Sequence, residues 1–459
     1  MKYISTRDNS KEYSFEQVFI KGLADDGGLF IPKYLKRLPE DELSSLSELS
    51  YQDLAKKIIY PFIGNFMSES KLSDVINKSY SGFRKENVVN LTKIGDTNIL
   101  ELFHGPTLAF KDIAMQLLGN FYEYYLGKNN KNINVIVATS GDTGAAAIDA
   151  IKGKKNMNIF VLHPHNKVSI VQRKLMSTVK DKNVFNIAIE GNFDDCQNLV
   201  KSMFSDKSFS KSINMSGVNS INWARIIAQT VYYFYTYFLL KNEKKINFSV
   251  PTGNFGDVYA GYLSKKMGLP INKLIVATNQ NDILHRAISN GKYEAENVFE
   301  TISPSMDIQN ASNFERLIYD LNNYDDVETK DVMTRIKEKG KYIIPKEKLD
   351  KIKKDFLSAN MDEIEILNVI KETYEKYKII LDPHSAIGLG ALKKINMNGN
   401  NVVLATAHPC KFPDAIDRSI NIKPSLPNEL IYVMSEKENY DIISNNPSKI
   451  KKYIKEKIQ

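Results

Sequence analysis

The chain has 459 residues, of which 42% are hydrophobic and 25% charged, a globular composition long enough for two or three domains. The net charge of +8 comes from lysines intermixed with glutamates, without a basic stripe interleaved with aromatic residues, so we expect no nucleic-acid partner. The two cysteines, Cys196 and Cys410, lie far apart, which excludes a disulfide-rich fold and fits a reducing compartment.

The sequence shows neither the pattern of a secretory signal nor that of a membrane-spanning helix. The first eight residues lack the apolar centre of a secretory signal. The most apolar run, residues 231–240, is far shorter than the roughly 20 residues that span a bilayer, and it predicts a buried helix. We therefore expect a cytoplasmic protein without a membrane partner.

Residues 1–90 favour helices and loops, and we assign them to a mostly helical N-terminal domain. From about residue 95, short β-branched runs alternate with helical stretches. The predicted strands are 133–138, 158–162, 184–189, 246–250, 274–277 and 402–405. The predicted helices are 143–152, 168–179, 193–204, 222–240 and 256–267. This alternation predicts an α/β fold for residues 91–459, with parallel sheets covered by helices on both faces, two α/β subdomains and a charged helical insertion at about 310–376.

Lys111 is the first candidate for chemistry. A strand-like run at residues 98–103 breaks at Gly105 and Pro106, and a helical pattern begins near Ala109. A lysine in the first helical turn faces the positive end of the helix dipole, and apolar neighbours would desolvate it, so both effects favour the neutral amine. A neutral amine is what a Schiff base with a carbonyl cofactor requires. The alternative is a surface lysine whose stem lies on apolar neighbours.

The loop after the predicted strand 133–138 reads TSGDTG and leads into a helix of small residues. Its glycines allow close approach of a ligand, and Ser140, Thr143 and the helix N–H groups can bind an anion such as a carboxylate. Asp142 lies among them as an acceptor or acid. The alternative interpretation is a glycine-containing helix cap.

Two more strand ends carry candidate binding groups. After strand 246–250 come Gly253, Asn254, Phe255, Gly256 and Asp257, whose consecutive N–H groups can form a phosphate-binding nest at a helix N-terminus, or simply a helix cap. After strand 402–405, Thr406 supplies a hydroxyl that can bond a heteroaromatic nitrogen or cap the next turn. Ligands bind beyond the carboxyl ends of parallel strands, so these parts together indicate pyridoxal 5′-phosphate, a phosphate-bearing aldehyde held by Lys111.

Several motifs closely resemble the threonine synthase family, a group of fold-type II pyridoxal-phosphate enzymes. They are FHGPTLAFKD at 103–112, ATSGDTGAA at 138–146, PTGNFGD at 251–257, ATAHP at 405–409, and YISTR at 3–7 with GLADDGGL at 22–29 in the N-terminal domain. The resemblance covers nearly the whole chain. It implies conversion of O-phospho-L-homoserine and water into L-threonine and phosphate.

The resemblance also implies roles for single residues. Lys111 would hold the cofactor and act as base and acid, Thr406 would face the pyridine nitrogen, and the loop from Gly253 to Asp257 would bind the cofactor phosphate. Asp142 stands where related fold-type II enzymes have an asparagine against the phenolic oxygen, so its protonation state stays open.

The substrate residues come from the same resemblance. The segment NMSGVNSINWAR at 214–225 is similar to the family's substrate-phosphate segment, which assigns Asn219, Ser220 and Arg225 to that group. Ser140 and Thr143 would hold the substrate carboxylate. No metal site is expected, and the protein would be a monomer or homodimer. The nearest alternative is another fold-type II lyase, such as a serine or threonine dehydratase.

Overall fold

The computed structural model describes residues 1–240 and 245–458. The strands are β1 (Tyr3–Ser5), β2 (Asp8–Tyr13), β3 (Phe30–Pro32), β4 (Asn90–Ile94), β5 (Thr97–Glu101), β6 (Ile133–Ala138), β7 (Met157–Pro164), β8 (Val184–Glu190), β9 (Met215–Ser216), β10 (Ile246–Pro251), β11 (Ile271–Thr278), β12 (Lys292–Glu294), β13 (Lys341–Ile343), β14 (Phe356–Asn360), β15 (Asn400–Ala405) and β16 (Asp441–Ser444). The helices are α1 (Phe15–Lys21), α2 (Glu40–Ser45), α3 (Tyr51–Ile63), α4 (Glu69–Tyr80), α5 (Lys111–Asn129), α6 (Asp142–Ile151), α7 (Ile170–Ser177), α8 (Phe193–Ser205), α9 (Lys207–Ser212), α10 (Trp223–Leu239), α11 (Gly256–Lys266), α12 (Ile283–Asn290), α13 (Phe314–Leu321), α14 (Asp326–Lys339), α15 (Lys346–Asp355), α16 (Glu363–Tyr377), α17 (Pro383–Ile395), α18 (Pro413–Ile420) and α19 (Pro447–Ile458).

Two sheets organise the larger part of the chain. One has the strand order β14-β11-β10-β15-β5-β4, in which only the β5–β4 pair is antiparallel. The other has the order β16-β8-β7-β6-β9 and is parallel throughout. Strands such as β10 are buried at every residue because helices cover both faces of the sheet. The predicted α/β fold is confirmed, and each of the six predicted strands lies in one of these sheets.

The N-terminal region is helical but also contains a sheet that the pattern did not predict. Strands β1, β2 and β3 pair antiparallel. Strand β2 reads DNSKEY and is mostly exposed, so it lacks the hydrophobic alternation that indicates a strand. Phe15 of α1 packs edge-on against Phe121 of α5, with the ring centroids 5.9 Å apart. Because the region shares its core with the rest of the chain, the boundary at residue 90 stays a prediction.

The segment 310–376 is not a purely helical insertion. It contains α13 to α16, but it also supplies β14, which pairs parallel with β11 and forms an edge of the six-stranded sheet. Strand β14 has only five residues, FLSAN, and follows the charged helix α15, so nothing in the local composition indicates a strand. Tertiary pairing determines its conformation. In the described part of the chain, no helix is long and apolar enough to cross a membrane.

Helices α5 and α6 approach each other closely at Gly119. A Cβ atom at this position would lie 2.4 Å from the main-chain oxygen of Ala150. The neighbour is backbone, so it cannot rotate away, and a methyl group would force the two helices apart. Because Lys111 begins α5 and Asp142 begins α6, this contact sets the relative position of both residues.

We expect Gly119→Ala to destabilise the protein by about 2 to 3 kcal/mol through overpacking. The matched control is Gly127→Ala in the same helix, where an added Cβ meets nothing within 4 Å and alanine favours the helix by about 0.5 to 1 kcal/mol. Thermal unfolding of both variants checks the pair. Equal stability of the two variants would contradict a close α5–α6 contact.

Candidate active site

Lys111 lies beside the end of β15 because the segment before α5 pairs with the chain that leaves this strand. Ala109 and Ala407 form an antiparallel bridge. The main-chain N–H of Phe110 donates to the carbonyl of Thr406 (2.8 Å). The N–H of Thr406 in turn donates to Ser385 Oγ (3.2 Å). The structure thus brings the predicted lysine and the predicted pyridine-facing threonine to the same place.

The Lys111 side chain is largely buried, with 12% of its surface exposed. Its Nζ lies 3.3 Å from Ser305 Oγ and 3.5 Å from Asp142 Oδ2. Burial lowers the pKa of Lys111; the carboxylate of Asp142 opposes this, and the charges of Lys411 and Arg225 add to the lowering. The lowered pKa favours the neutral, nucleophilic amine, as the sequence predicts.

Asp142 is held as a carboxylate by a second lysine. Lys411 Nζ lies 2.5 Å from its Oδ1. Gln172 Nε2 donates to the same oxygen (2.9 Å), and Ser305 Oγ donates to Oδ2 (3.0 Å). Burial raises the pKa of Asp142, but the charges of Lys411 and Lys111 outweigh it and hold the pKa well below the ordinary value. The protonation state that the sequence left open is therefore the ionised one.

Sequence reasoning missed Lys411 and Ser305. Lys411 follows the ATAHP motif, and Ser305 lies in the short 3-10 turn Pro304–Met306. His384 orders that turn, since its Nε2 accepts from the main-chain N–H of Ser305 (3.3 Å) and its Nδ1 lies 2.7 Å from Asp382 Oδ2. The closeness of Lys411 to a recognised motif was the available signal. The sequence around Ser305 gives no signal of a site residue, because Ser305 comes close to Lys111 and Asp142 only in the folded chain.

The predicted phosphate loop joins β10 to α11. Phe255, fully buried, precedes α11 with a φ of 63°, which turns the chain into the helix. The carbonyl of Asn254 accepts from both the N–H (3.1 Å) and Nδ2 (3.0 Å) of Asn313, so the loop is fixed. A Cβ at Gly253 would lie 3.0 Å from the carbonyl oxygen of Ser305. The loop therefore adjoins the Ser305 turn, and the first-turn N–H groups of α11, among them that of Gly256, have no intrahelical partner.

Asp257 directs its side chain away from this loop. Its Oδ1 accepts from the hydroxyl groups of Tyr232 (2.5 Å) and Tyr233 (2.9 Å) on α10. Burial raises the pKa of Asp257 to about 6, and the two hydroxyl bonds oppose the rise. A carboxylate would repel phosphate, so the predicted cofactor role can only belong to the main-chain N–H of this residue.

The raised pKa of Asp257 predicts a pH-dependent stability. Between the ordinary value of 3.8 and about 6, the folded chain holds a proton here that the unfolded chain releases, so this stabilising contribution is lost as pH rises through that window. We expect the stability of wild type relative to Asp257→Asn to fall by about 2 kcal/mol from pH 4 to pH 6. Urea unfolding of both proteins across this range measures the difference and cancels the other groups. A difference independent of pH would contradict the buried carboxyl group.

Arg225 is a buried cation without a carboxylate partner in the described residues. It lies in the first turn of α10, and its Nη1 donates to the carbonyl of Val218 (2.9 Å). Its Nε has no hydrogen-bond partner among the residues that the structure describes. Burial lowers the pKa of Arg225 to about 10, so the guanidinium stays charged at neutral pH. A buried, incompletely bonded guanidinium that acts electrostatically on Lys111 fits an anionic ligand.

The other predicted substrate residues differ in their burial and in their contacts. Ser140 and Thr143 are half-buried at the start of α6, where Thr139 Oγ1 accepts the N–H groups of Gly141 and Gly144 (both 2.9 Å). Ser220 is half-buried near the phosphate loop, and its carbonyl accepts from Asn313 Nδ2 (3.4 Å). Asn219 is exposed. Its role therefore has the least structural support.

The residues present fit a phosphate-bearing aldehyde. An enclosed amine with a lowered pKa, a fixed loop at a helix N-terminus and a buried threonine converge on one place. Among residues 1–240 and 245–458, no cluster of three or more His, Cys, Asp or Glu side chains is arranged to hold a metal ion.

Sequence models of known families match three consecutive parts of the chain. The model described as threonine synthase N terminus matches residues 2–80, pyridoxal-phosphate dependent enzyme matches residues 99–346, and threonine synthase, C-terminal, matches residues 385–454. The middle match assigns pyridoxal 5′-phosphate as the cofactor.

Individual relatives match over most or all of their length. The chain is 42% identical to a threonine synthase of Pseudomonas aeruginosa, over 99% of this chain and 98% of that protein. It is 44% identical to a threonine synthase of Saccharomyces cerevisiae, over 91% and 89% of the two chains. A crystal structure of PLP-bound threonine synthase from Brucella melitensis superposes with a TM-score of 0.97 at 42% identity and covers 100% of both chains. The chain belongs to the threonine synthase family of fold-type II, pyridoxal-phosphate-dependent enzymes.

Proposed function

We propose that the protein converts O-phospho-L-homoserine and water into L-threonine and phosphate. The environment of Arg225 is the observation that best supports a phosphorylated substrate. The loop from Gly253 to Gly256 suits the cofactor phosphate, which leaves the buried, unpaired guanidinium of Arg225 for a second anion, the substrate phosphate. A dehydratase that acts on free serine or threonine would have no phosphate to place there.

The cofactor would be held by Lys111 Nζ at its aldehyde carbon, by the main-chain N–H groups of the Gly253 to Asp257 loop at its phosphate, by Thr406 at its pyridine nitrogen and by Asp142 near its phenolic oxygen. Pyridoxal phosphate, when bound, draws electrons from the carbon atoms of the attached amino acid, which acidifies the hydrogens on Cα and Cβ. A carboxylate facing the pyridine nitrogen would keep that nitrogen protonated, whereas the hydroxyl of Thr406 does not require this.

The protein's own groups then position the substrate and move its protons. Ser140 and Thr143 bind the substrate carboxylate at the N-terminus of α6. Arg225, with Ser220 and Asn219, binds the phosphate that leaves from Cγ. Lys111 Nζ accepts the Cα proton as a neutral amine and later returns a proton, because its lowered pKa favours the neutral amine and makes the protonated form a better acid. Ser305 is hydrogen-bonded to both Lys111 and Asp142 and so restricts the orientation of the amine.

Substrate preference tests the proposal against its nearest alternative. The purified holoprotein is incubated separately with O-phospho-L-homoserine and with L-threonine, and phosphate, threonine and 2-oxobutanoate are measured. We expect equal amounts of phosphate and threonine from the first substrate and little 2-oxobutanoate from the second. Rapid 2-oxobutanoate formation from threonine, with no turnover of the phosphorylated substrate, would instead identify a dehydratase.

A cytoplasmic location, a monomeric or homodimeric state and the absence of a nucleic-acid partner stay predictions from the sequence. Light scattering after size-exclusion chromatography distinguishes the monomer from the dimer. Retention on immobilised DNA that disappears with modest salt would indicate an unexpected basic surface.

A further inference from the structure

Lys411 has no solvent exposure, and hydrogen bonds fix both its side-chain nitrogen and its main-chain carbonyl. Its Nζ lies 2.5 Å from Asp142 Oδ1 and donates to the carbonyl of Thr107 (2.8 Å). Its own carbonyl accepts from Ser169 Oγ (2.9 Å). Burying an ammonium is costly unless a negative charge accompanies it, so the contact with Asp142 accounts for the presence of both groups inside the protein.

Asp142 lies between two lysines, and its contacts with them are unequal. Its Oδ1 is 2.5 Å from Lys411 Nζ, whereas its Oδ2 is 3.5 Å from Lys111 Nζ and accepts instead from Ser305 Oγ. The short ion pair is therefore Asp142 with Lys411. Lys111 has the longer contact, and no other carboxylate pairs with it in the described residues.

We propose that Lys411 is a positioning residue whose ammonium takes up the charge of Asp142, so that the Lys111 amine has no carboxylate of its own and reacts as the free base. Lys411 would act through Asp142, without touching the reacting carbon atoms. The inference uses the proposed function only in taking Lys111 as the reactive amine.

The charged groups around Lys111 come from three elements. They are Asp142 of α6, Lys411 in the turn after β15 and Arg225 of α10, while His384 of α17 faces Asp142. Without Lys411, Asp142 would keep its charge and Lys111 would become its counter-ion, which favours the protonated nitrogen. Without the Asp142 charge, Lys111 would face two cations alone, which disfavours the protonated nitrogen. The two single changes therefore act in opposite directions.

The experiment is a pH titration of the visible absorbance of the holoprotein, which reports the protonation of the Lys111 nitrogen. We expect the midpoint to rise by at least about one pH unit in Lys411→Met and to fall by a similar amount in Asp142→Asn. The double variant should return towards wild type, because it removes both charges. Lys411→Arg keeps the charge and should stay near wild type.

A second readout is independent of bound cofactor and of turnover. The full chain stripped of cofactor is treated with a limiting amine-acylating reagent at a series of pH values, and labelling of Lys111 is quantified by peptide mass spectrometry. Lys128, exposed at the end of the same helix, is the internal control whose profile should not change. The midpoints for Lys111 should shift with the same signs as in the absorbance titration.

The outcomes separate this proposal from the proposed function. Shifts of the same sign in Lys411→Met and Asp142→Asn, or no shift in either, would overturn the role of Lys411 even in an active enzyme. If Lys411→Met does not fold, Asp142→Asn is compared with the double variant, where loss of Lys411 must raise the midpoint again. An unaltered midpoint in that comparison also overturns the proposal. A protein that develops no visible band contradicts the proposed function, whereas the labelling still tests Lys411.

Discussion

Replacing Lys111 by alanine is expected to lower kcat by about 10⁴-fold or more and to abolish the covalent attachment of the cofactor. The side chain supplies both the attachment point and the group that carries the Cα proton, and each role alone is worth orders of magnitude. The measurements are steady-state turnover, the visible absorbance of the protein with pyridoxal phosphate, and borohydride reduction followed by peptide mapping.

The matched control is Lys128→Ala, which removes an exposed lysine from the same helix and should leave turnover unchanged. Wild-type protein should carry the reduced cofactor on the peptide that contains Lys111. Its recovery on another lysine, or substantial activity in Lys111→Ala, would refute the assignment of the catalytic amine.

Replacing Arg225 by methionine is expected to have the second large effect on activity. We expect kcat/KM for O-phospho-L-homoserine to fall by about 100-fold, since a buried charge-assisted bond contributes up to about 3 kcal/mol. Most of the loss should appear as a higher KM, because the phosphate is bound before as well as during reaction. The stem of methionine keeps part of the buried volume, which limits structural damage.

Cofactor content distinguishes the two phosphate sites in this experiment. Arg225→Met should bind pyridoxal phosphate as wild type does, because the loop after β10 is intact. Arg335→Met, a change at an exposed arginine that pairs with Asp331, is the control and should alter neither property. Loss of cofactor in Arg225→Met would show that the guanidinium serves the cofactor phosphate instead.

Hydrophobic patterning predicts the parallel sheets because their strands are buried on both faces and form nearly continuous apolar runs. Strands β6 and β10 are of this kind. Strand β2 is polar and mostly exposed, and both β2 and β14 lie at sheet edges, so pairing in three dimensions decides their conformation and local sequence does not.

The site residues also fall into those that local sequence predicts and those that it does not. Lys111 and Asp142 stand at the starts of helices after recognisable turns, so their positions follow from local sequence. Lys411 looks like any of the chain's many lysines until folding buries it against Asp142. For that reason the protonation state of Asp142 could not be predicted. The Asp257 carboxylate points away from the phosphate loop towards the tyrosines of α10, and this direction follows only from the folded structure.

The oxygen balance of the reaction tests the central claim most directly. The holoprotein is given O-phospho-L-homoserine in water labelled with oxygen-18, and both products are analysed by mass spectrometry. Departure of phosphate from Cγ breaks the carbon–oxygen bond, and water then adds at Cβ. We therefore predict one labelled oxygen in the threonine side chain, none in the phosphate, and equal amounts of the two. Labelled phosphate accompanied by homoserine would reveal simple phosphoester hydrolysis and contradict the account.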